Sequence, residues 1–173
     1  MPGENSASHP PRGLRRALLR FPILLYRLRL GFLLGHRFLL LTHIGRKSGR
    51  PRQVVLEVVR YDESTGTCIV ASGRGERSHW FRNIQKTPRV TVSIGRQQFP
   101  AEAIRLSGQE AEQEFLEYAR RRPLVFRILS DKMMAQPSED MAERCRFLSQ
   151  SIPVVAFRPL RKSSGEALPE SAQ

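Results

Sequence analysis

The chain has 173 residues, 40% apolar and 26% charged, with 29 Lys and Arg against 16 Asp and Glu and a formal net charge of +13. That length suits one domain able to bury its own core. No uncharged stretch approaches the roughly 18 residues that cross a bilayer, and the arginine-broken apolar run near the start lacks a secretory pattern. The charge is uneven: residues 1–61 carry 12 Lys and Arg and only 2 acids, the remainder 17 and 14. An arginine-rich excess of this kind points to an anionic partner, whether nucleic acid, a membrane surface, or a phosphorylated or carboxylated small molecule. Cys68 and Cys145 lack metal-ligand spacing and are expected to be buried free thiols in a reducing cytosol.

Residues 1–12 are rich in Pro, Ser and Gly and read as disordered, as do 161–173. Between them lies one domain, 13–160. It opens on a basic, leucine-rich segment, 13–35, which reads as an amphipathic helix with a break at Pro22. That helix fits either a cap on the protein's own core or a peripheral contact with the inner face of the cell membrane. The period then changes. Strands are expected over Phe38–Thr42, Val54–Tyr61 and Thr67–Ser72. A Gly/Arg loop leads to Ser78, expected to cap a short helix over His79–Lys86 that Pro88 stops. Val90–Ile94 and Gln98–Leu106 read as a hairpin. Ser107 and Glu110 form a capping box for a helix to about Arg121. Pro123 and Pro137 divide further helical stretches, and Ile152–Phe157 is the last strand. Hairpin-linked strands dominate, so the fold class is α+β with a mostly antiparallel sheet or small barrel flanked by helices.

Two segments carry chemistry. Gly45-Arg46-Lys47-Ser48-Gly49-Arg50-Pro51-Arg52 is a turn with four cations in the seven residues from Arg46 to Arg52. Glycines admit close backbone approach, and arginine grips phosphate or carboxylate bidentately. The spacing is not that of a Walker A loop; with no further context, the segment reads first as a solvated basic turn. The second segment, Ala71-Ser72-Gly73-Arg74-Gly75-Glu76-Arg77-Ser78-His79-Trp80, runs a glycine-rich loop into a helix start, an end that favours anions. Trp80 reads as a core anchor as readily as a site residue, and Asn83 has no evident structural need. No nucleophile elbow or carboxylate pair stands out, and His36, His43 and His79 are too scattered to predict a metal site. An anion-binding surface without a catalytic side chain suits a protein whose cofactor does the chemistry.

Leu41-Thr42-His43-Ile44-Gly45-Arg46-Lys47-Ser48-Gly49-Arg50-Pro51-Arg52, followed by Ala71-Ser72-Gly73 and Trp80-Phe81-Arg82-Asn83-Ile84, resembles the deazaflavin-dependent nitroreductases, also called the F420H2-dependent quinone reductases. The likeness runs from about Leu41 to Leu106, with Ile152-Pro153-Val154-Val155 similar to that family's last strand. It implies a split β-barrel of the FMN-binding type that binds coenzyme F420 and transfers a hydride from it to a quinone, activated alkene or nitro compound. By the same resemblance Gly45, Arg46, Lys47, Ser48 and Arg52 hold the anionic tail. Ala71, Ser72, Gly73, Trp80 and Asn83 flank the deazaflavin, with Arg74 and Arg77 as further cations. Val55 stands near the ring where many members have proline. A homodimer is open, and nucleic acid is not expected. The alternatives are an FMN- or haem-binding protein on the same barrel, or a non-enzymatic binder of an anionic membrane surface or nucleic acid. No side chain presents itself as the proton donor.

Overall fold

The computed structural model describes residues 35–160. The helix expected over 13–35 (Gly35 apart) and both expected disordered ends lie outside them. The elements in order are β1 (Phe38–Ile44), β2 (Pro51–Asp62), β3 (Thr67–Ala71), a 3-10 turn (Gly75–Arg77), α1 (His79–Lys86), β4 (Arg89–Ile94), β5 (Gln97–Arg105), α2 (Gly108–Arg121), α3 (Pro123–Met133), α4 (Met141–Ser151) and β6 (Val154–Pro159). The strands close into a barrel in the order β1-β2-β3-β6-β5-β4, every pairing antiparallel.

Alternation of side chains along each strand divides the apolar residues between two cores. Leu39, Leu41, Val70, Val92 and Phe157 fill the barrel. Ile69, Val154 and Ala156 face outward and pack against Phe115, Phe126 and Leu148 of the three later helices. Both cysteines are buried and free. Burial pushes the Cys68 thiol up to about 12 and the Cys145 thiol up to about 11, with nearby Glu112 and Asp140 adding to the latter.

The helix ends follow the sequence. The Ser107 side chain accepts from the Glu110 backbone N–H while the Glu110 carboxylate accepts from Ser107, the reciprocal capping box expected. Pro123 opens α3 in the first turn, where its missing N–H costs nothing. The last strand begins at Val154 instead of Ile152, because α4 continues to Ser151 and the Ile152 N–H still donates to the Leu148 carbonyl.

The β1–β2 hairpin is longer than the apolar runs suggest. Its register continues to His43 opposite Arg52 and Ile44 opposite Pro51. Pro51 is tolerated because it is the first residue of its strand. Arg52 is thus a strand residue, with its side chain on the face that carries Leu39, Leu41 and His43. The other edge of β2 pairs with β3 only from Val58 onward, after which the register shifts by a bulge before Arg60. The first half of β2 therefore overhangs β3, and a cleft opens beside it.

Candidate functional site

The turn that joins β1 to β2 is closed by its own backbone. The Gly45 N–H donates to the Arg50 carbonyl at 2.9 Å and the Gly49 N–H to the Gly45 carbonyl at 2.8 Å. Gly49 has φ +65°, the left-handed region that glycine occupies without strain. The turn is then fixed to α1. Asn83 Oδ1 accepts from the Arg46 backbone N–H at 3.1 Å and from Arg46 Nη1 at 3.0 Å, and Lys86 Nζ donates to the Arg46 carbonyl at 3.2 Å. Asn83 and Lys86 lie three apart, so one helix face makes all three bonds. The opposite face of α1 buries Phe81 and Ile84 in the barrel core.

Asn83 has a further partner. Its Nδ2 lies 3.1 Å from His43 Nδ1, in a buried contact between α1 and β1. His43 is buried, which lowers its pKa below the ordinary imidazole value; the Ile44 backbone opposes the shift and Arg52 adds to it.

The loop before α1 is shaped by Ser72, which is buried. Its Oγ donates to the Gly75 carbonyl or to Ser78 Oγ, each at 2.8 Å. Ser78 occupies the N-cap position of α1, but its side chain makes no cap bond to the helix; the expected hydroxyl cap is replaced by the contact with Ser72.

Two clefts meet at this corner. The smaller, about 360 Å³, is lined by Gly45, Arg46, Lys47, Ser48, Arg52, His79 and Asn83. The larger, about 530 Å³, runs under the overhanging half of β2 and is lined by His43, Arg52, Gln53, Val54, Leu56, Ala71, Gly73, Arg74, Arg77, Ser78, His79, Trp80 and Asn83. Arg52, His79 and Asn83 belong to both. No carboxylate lines either one. Trp80 serves in both ways open to it: it is packed in the barrel core and also forms part of the cleft wall.

Eleven of the thirteen residues singled out in the sequence line these clefts; Ser72 and Val55 do not. Ser72 supports the loop from beneath. Val55 pairs with Leu40 on the outer face of the hairpin, while its neighbours Val54 and Leu56 pair with Leu41 and Leu39 on the inner face and reach the cleft. Val55 thus stands on the face turned away from the clefts, and Val54 and Leu56 line the larger one. Sequence reasoning also passed over His43, His79 and Lys86. For His43 a signal existed: it continues the i, i+2 series of Leu39 and Leu41, so a strand extended to Ile44 puts it on the inner face.

The donor set fits a polyanionic ligand. Arg46, Lys47 and Arg52 converge on one cleft with no acidic residue beside them. Gly45 leaves no room for a side chain there: a Cβ would sit 2.8 Å from Ser48 Oγ and 2.9 Å from Arg52 Nε. Residues 29–127, which include both clefts, match the family model of the F420H(2)-dependent quinone reductases. The chain belongs to that family. As an F420H(2)-dependent quinone reductase it is an oxidoreductase that uses coenzyme F420 and reduces a small-molecule acceptor. The family resemblance, the cofactor and the barrel expected from the sequence are all borne out.

Among solved structures, the chain is similar to an F420-H2 dependent reductase, FDR-A, at 24% identity and TM-score 0.49, covering 72% of this chain and 96% of that one. It is similar to a protein solved as a domain-swapped dimer at 22% identity and TM-score 0.52, covering 87% and 100%. It is also similar to a conserved hypothetical protein of Mycobacterium tuberculosis, Rv2991, at 13% identity and TM-score 0.50, covering 79% and 80%. The last two share the fold. No curated protein matches the chain.

Proposed function

We propose that the two joined clefts are the F420 site of this reductase and that its acceptor is a quinone. In this reading Arg46, Lys47, Ser48 and Arg52 hold the phosphate and carboxylates of the cofactor's tail. The deazaflavin lies in the larger cleft, against Val54, Leu56, Trp80 and the backbone of Ala71 and Gly73. When bound, reduced F420 supplies the hydride. The protein's part is to fix the donor ring and exclude water from it, and alignment of this kind accounts for much of the rate in such reactions. The apolar side chains of Val54, Leu56 and Trp80 serve that exclusion on one wall. Arg74 and Arg77, which line the larger cleft, add cations for the same anionic ligand.

The observation that carries the proposal is the acid-free meeting of cations at one corner, with Arg46 tied at its N–H, guanidinium and carbonyl to α1. A cation held in place loses little freedom on binding, so its charge-assisted bonds keep most of their strength. The test is a fluorescence titration with F420 beside a thermal melt. Arg46→Ala and Lys47→Ala are each expected to weaken binding about tenfold, equivalent to about 1.4 kcal/mol, with the melt of Lys47→Ala unchanged. Unaltered affinity in both variants would remove the turn from the cofactor site.

A further inference from the structure

We propose that His43 is a positioning residue for the cationic turn, acting through Asn83, and that its neutral form with the proton on Nε2 is the one that holds Arg46 in place. The inference rests on the site assigned above. Its first step is the orientation of the Asn83 amide. The two groups of Arg46 that approach Asn83, the backbone N–H and Nη1, can only donate, so the atom facing them is the amide oxygen. The amide nitrogen therefore faces His43, where it can only donate. His43 Nδ1 must then accept, which leaves the ring proton on Nε2. Turning the amide over to suit an Nδ1–H would set an NH2 against both Arg46 donors. A single arrangement satisfies all three contacts.

The contacts join three parts of the fold: β1 through His43, α1 through Asn83, and the turn through Arg46. A proton added at Nδ1 would place N–H against N–H at 3.1 Å and force Asn83 to release either His43 or Arg46. The surroundings disfavour that proton. Burial and Arg52, which faces His43 from the paired position on β2, both act against it; Asn83 faces the ring from α1, and only the Ile44 backbone, beside it on its own strand, works the other way. The other titratable or charged groups lining the same cleft are Arg74, Arg77 and His79, none of them an acid. The Arg52 guanidinium favours the neutral ring.

The experiment uses the full chain labelled with 15N-histidine. The expected spectrum places the His43 proton on Nε2 at neutral pH. In Asn83→Asp a carboxylate replaces the amide. It still accepts from Arg46 but can no longer donate, so His43 is expected to carry a proton on Nδ1 and to titrate at higher pH than in the wild type. F420 titrations form the second arm. His43→Leu removes the acceptor and is expected to weaken F420 binding about tenfold. His43→Gln keeps a carbonyl for the Asn83 amide and is expected to restore most of that loss. A wild-type proton on Nδ1, an Asn83→Asp variant with His43 titrating as before, or equal affinities in the Leu and Gln variants would each overturn the role of His43. Failure of the wild type to bind F420 would instead overturn the site assignment, while the tautomer would still be decided by the spectrum.

Discussion

Gly45 is buried between the side chains of Ser48 and Arg52 and the Arg50 carbonyl, so its lack of a Cβ is a requirement of the site as well as of the turn. Gly45→Ala would press on the Arg50 carbonyl at 3.3 Å, which the hairpin backbone holds, and would drive away the more mobile Ser48 and Arg52 side chains. F420 affinity should fall about tenfold, since one charge-assisted contact is displaced. Gly49→Ala is the control. A Cβ there meets nothing within 4 Å, but φ is +65°. It should cost about 1 kcal/mol of stability from left-handed strain and leave the affinity alone. Paired titrations and urea melts separate the two effects; equal affinity losses would contradict the distinction. At this scale the sequence was informative where a motif named the residue, as for Arg46 and Asn83. It was silent where the role depends on a partner far along the chain. The bond from Asn83 to His43 spans 40 positions and left no local trace.

The elements were legible where local chemistry decides them. The capping box at Ser107, the proline at the start of α3 and the apolar face of α1 each set a boundary by themselves. The strand ends were less so, because His43 and Arg52 are polar residues made extended by pairing with one another and not by their own propensity. Ser78 is a residue of the preferred capping type whose hydroxyl was taken by Ser72, a contact invisible to any local pattern. The capping box gives a stability prediction for α2. Its bonds are exposed, so Ser107→Ala should cost about 1 kcal/mol. α2 makes no wall of either cleft, so F420 affinity should not change. A urea melt and a titration on the same variant check both statements; a change in affinity would mean that α2 reaches the site. Arg144 couples elements instead. It is buried in α4 and bonds to Asp131 and Ser130 of α3 and to the Ser138 carbonyl. It holds the outer helical layer together and lines neither cleft.

Across the whole molecule, the net charge of +13 resolves into paired and unpaired parts. Several arginines of the later chain have carboxylate partners: Glu76 for Arg105, Glu117 for Arg121 and Asp131 for Arg144. Arg60, at the end of β2, likewise grips Glu114 with two bonds of 2.9 and 2.6 Å. Arg46, Lys47, Arg50 and Arg52 form no ion pair with a carboxylate among the described residues. Their field is uncompensated, and it is concentrated where the barrel leaves β2 overhanging β3. A tail bearing phosphate and carboxylates would experience that field at short range, whereas the uncharged part of the deazaflavin would not. Salt therefore distinguishes the two halves of the ligand. Screening shortens from about 8 Å at physiological ionic strength to about 3 Å at 1 M. Between 0.05 and 0.5 M NaCl, F420 affinity is expected to fall about tenfold, as a few opposed charges lose their attraction. The deazaflavin chromophore without its phosphate and glutamates should bind more weakly at every salt concentration and change little across the series. Lys47→Ala should flatten the slope for F420 and leave that of the tailless compound as it was. Parallel slopes for the two ligands would place the tail away from the turn and leave these four cations without a ligand.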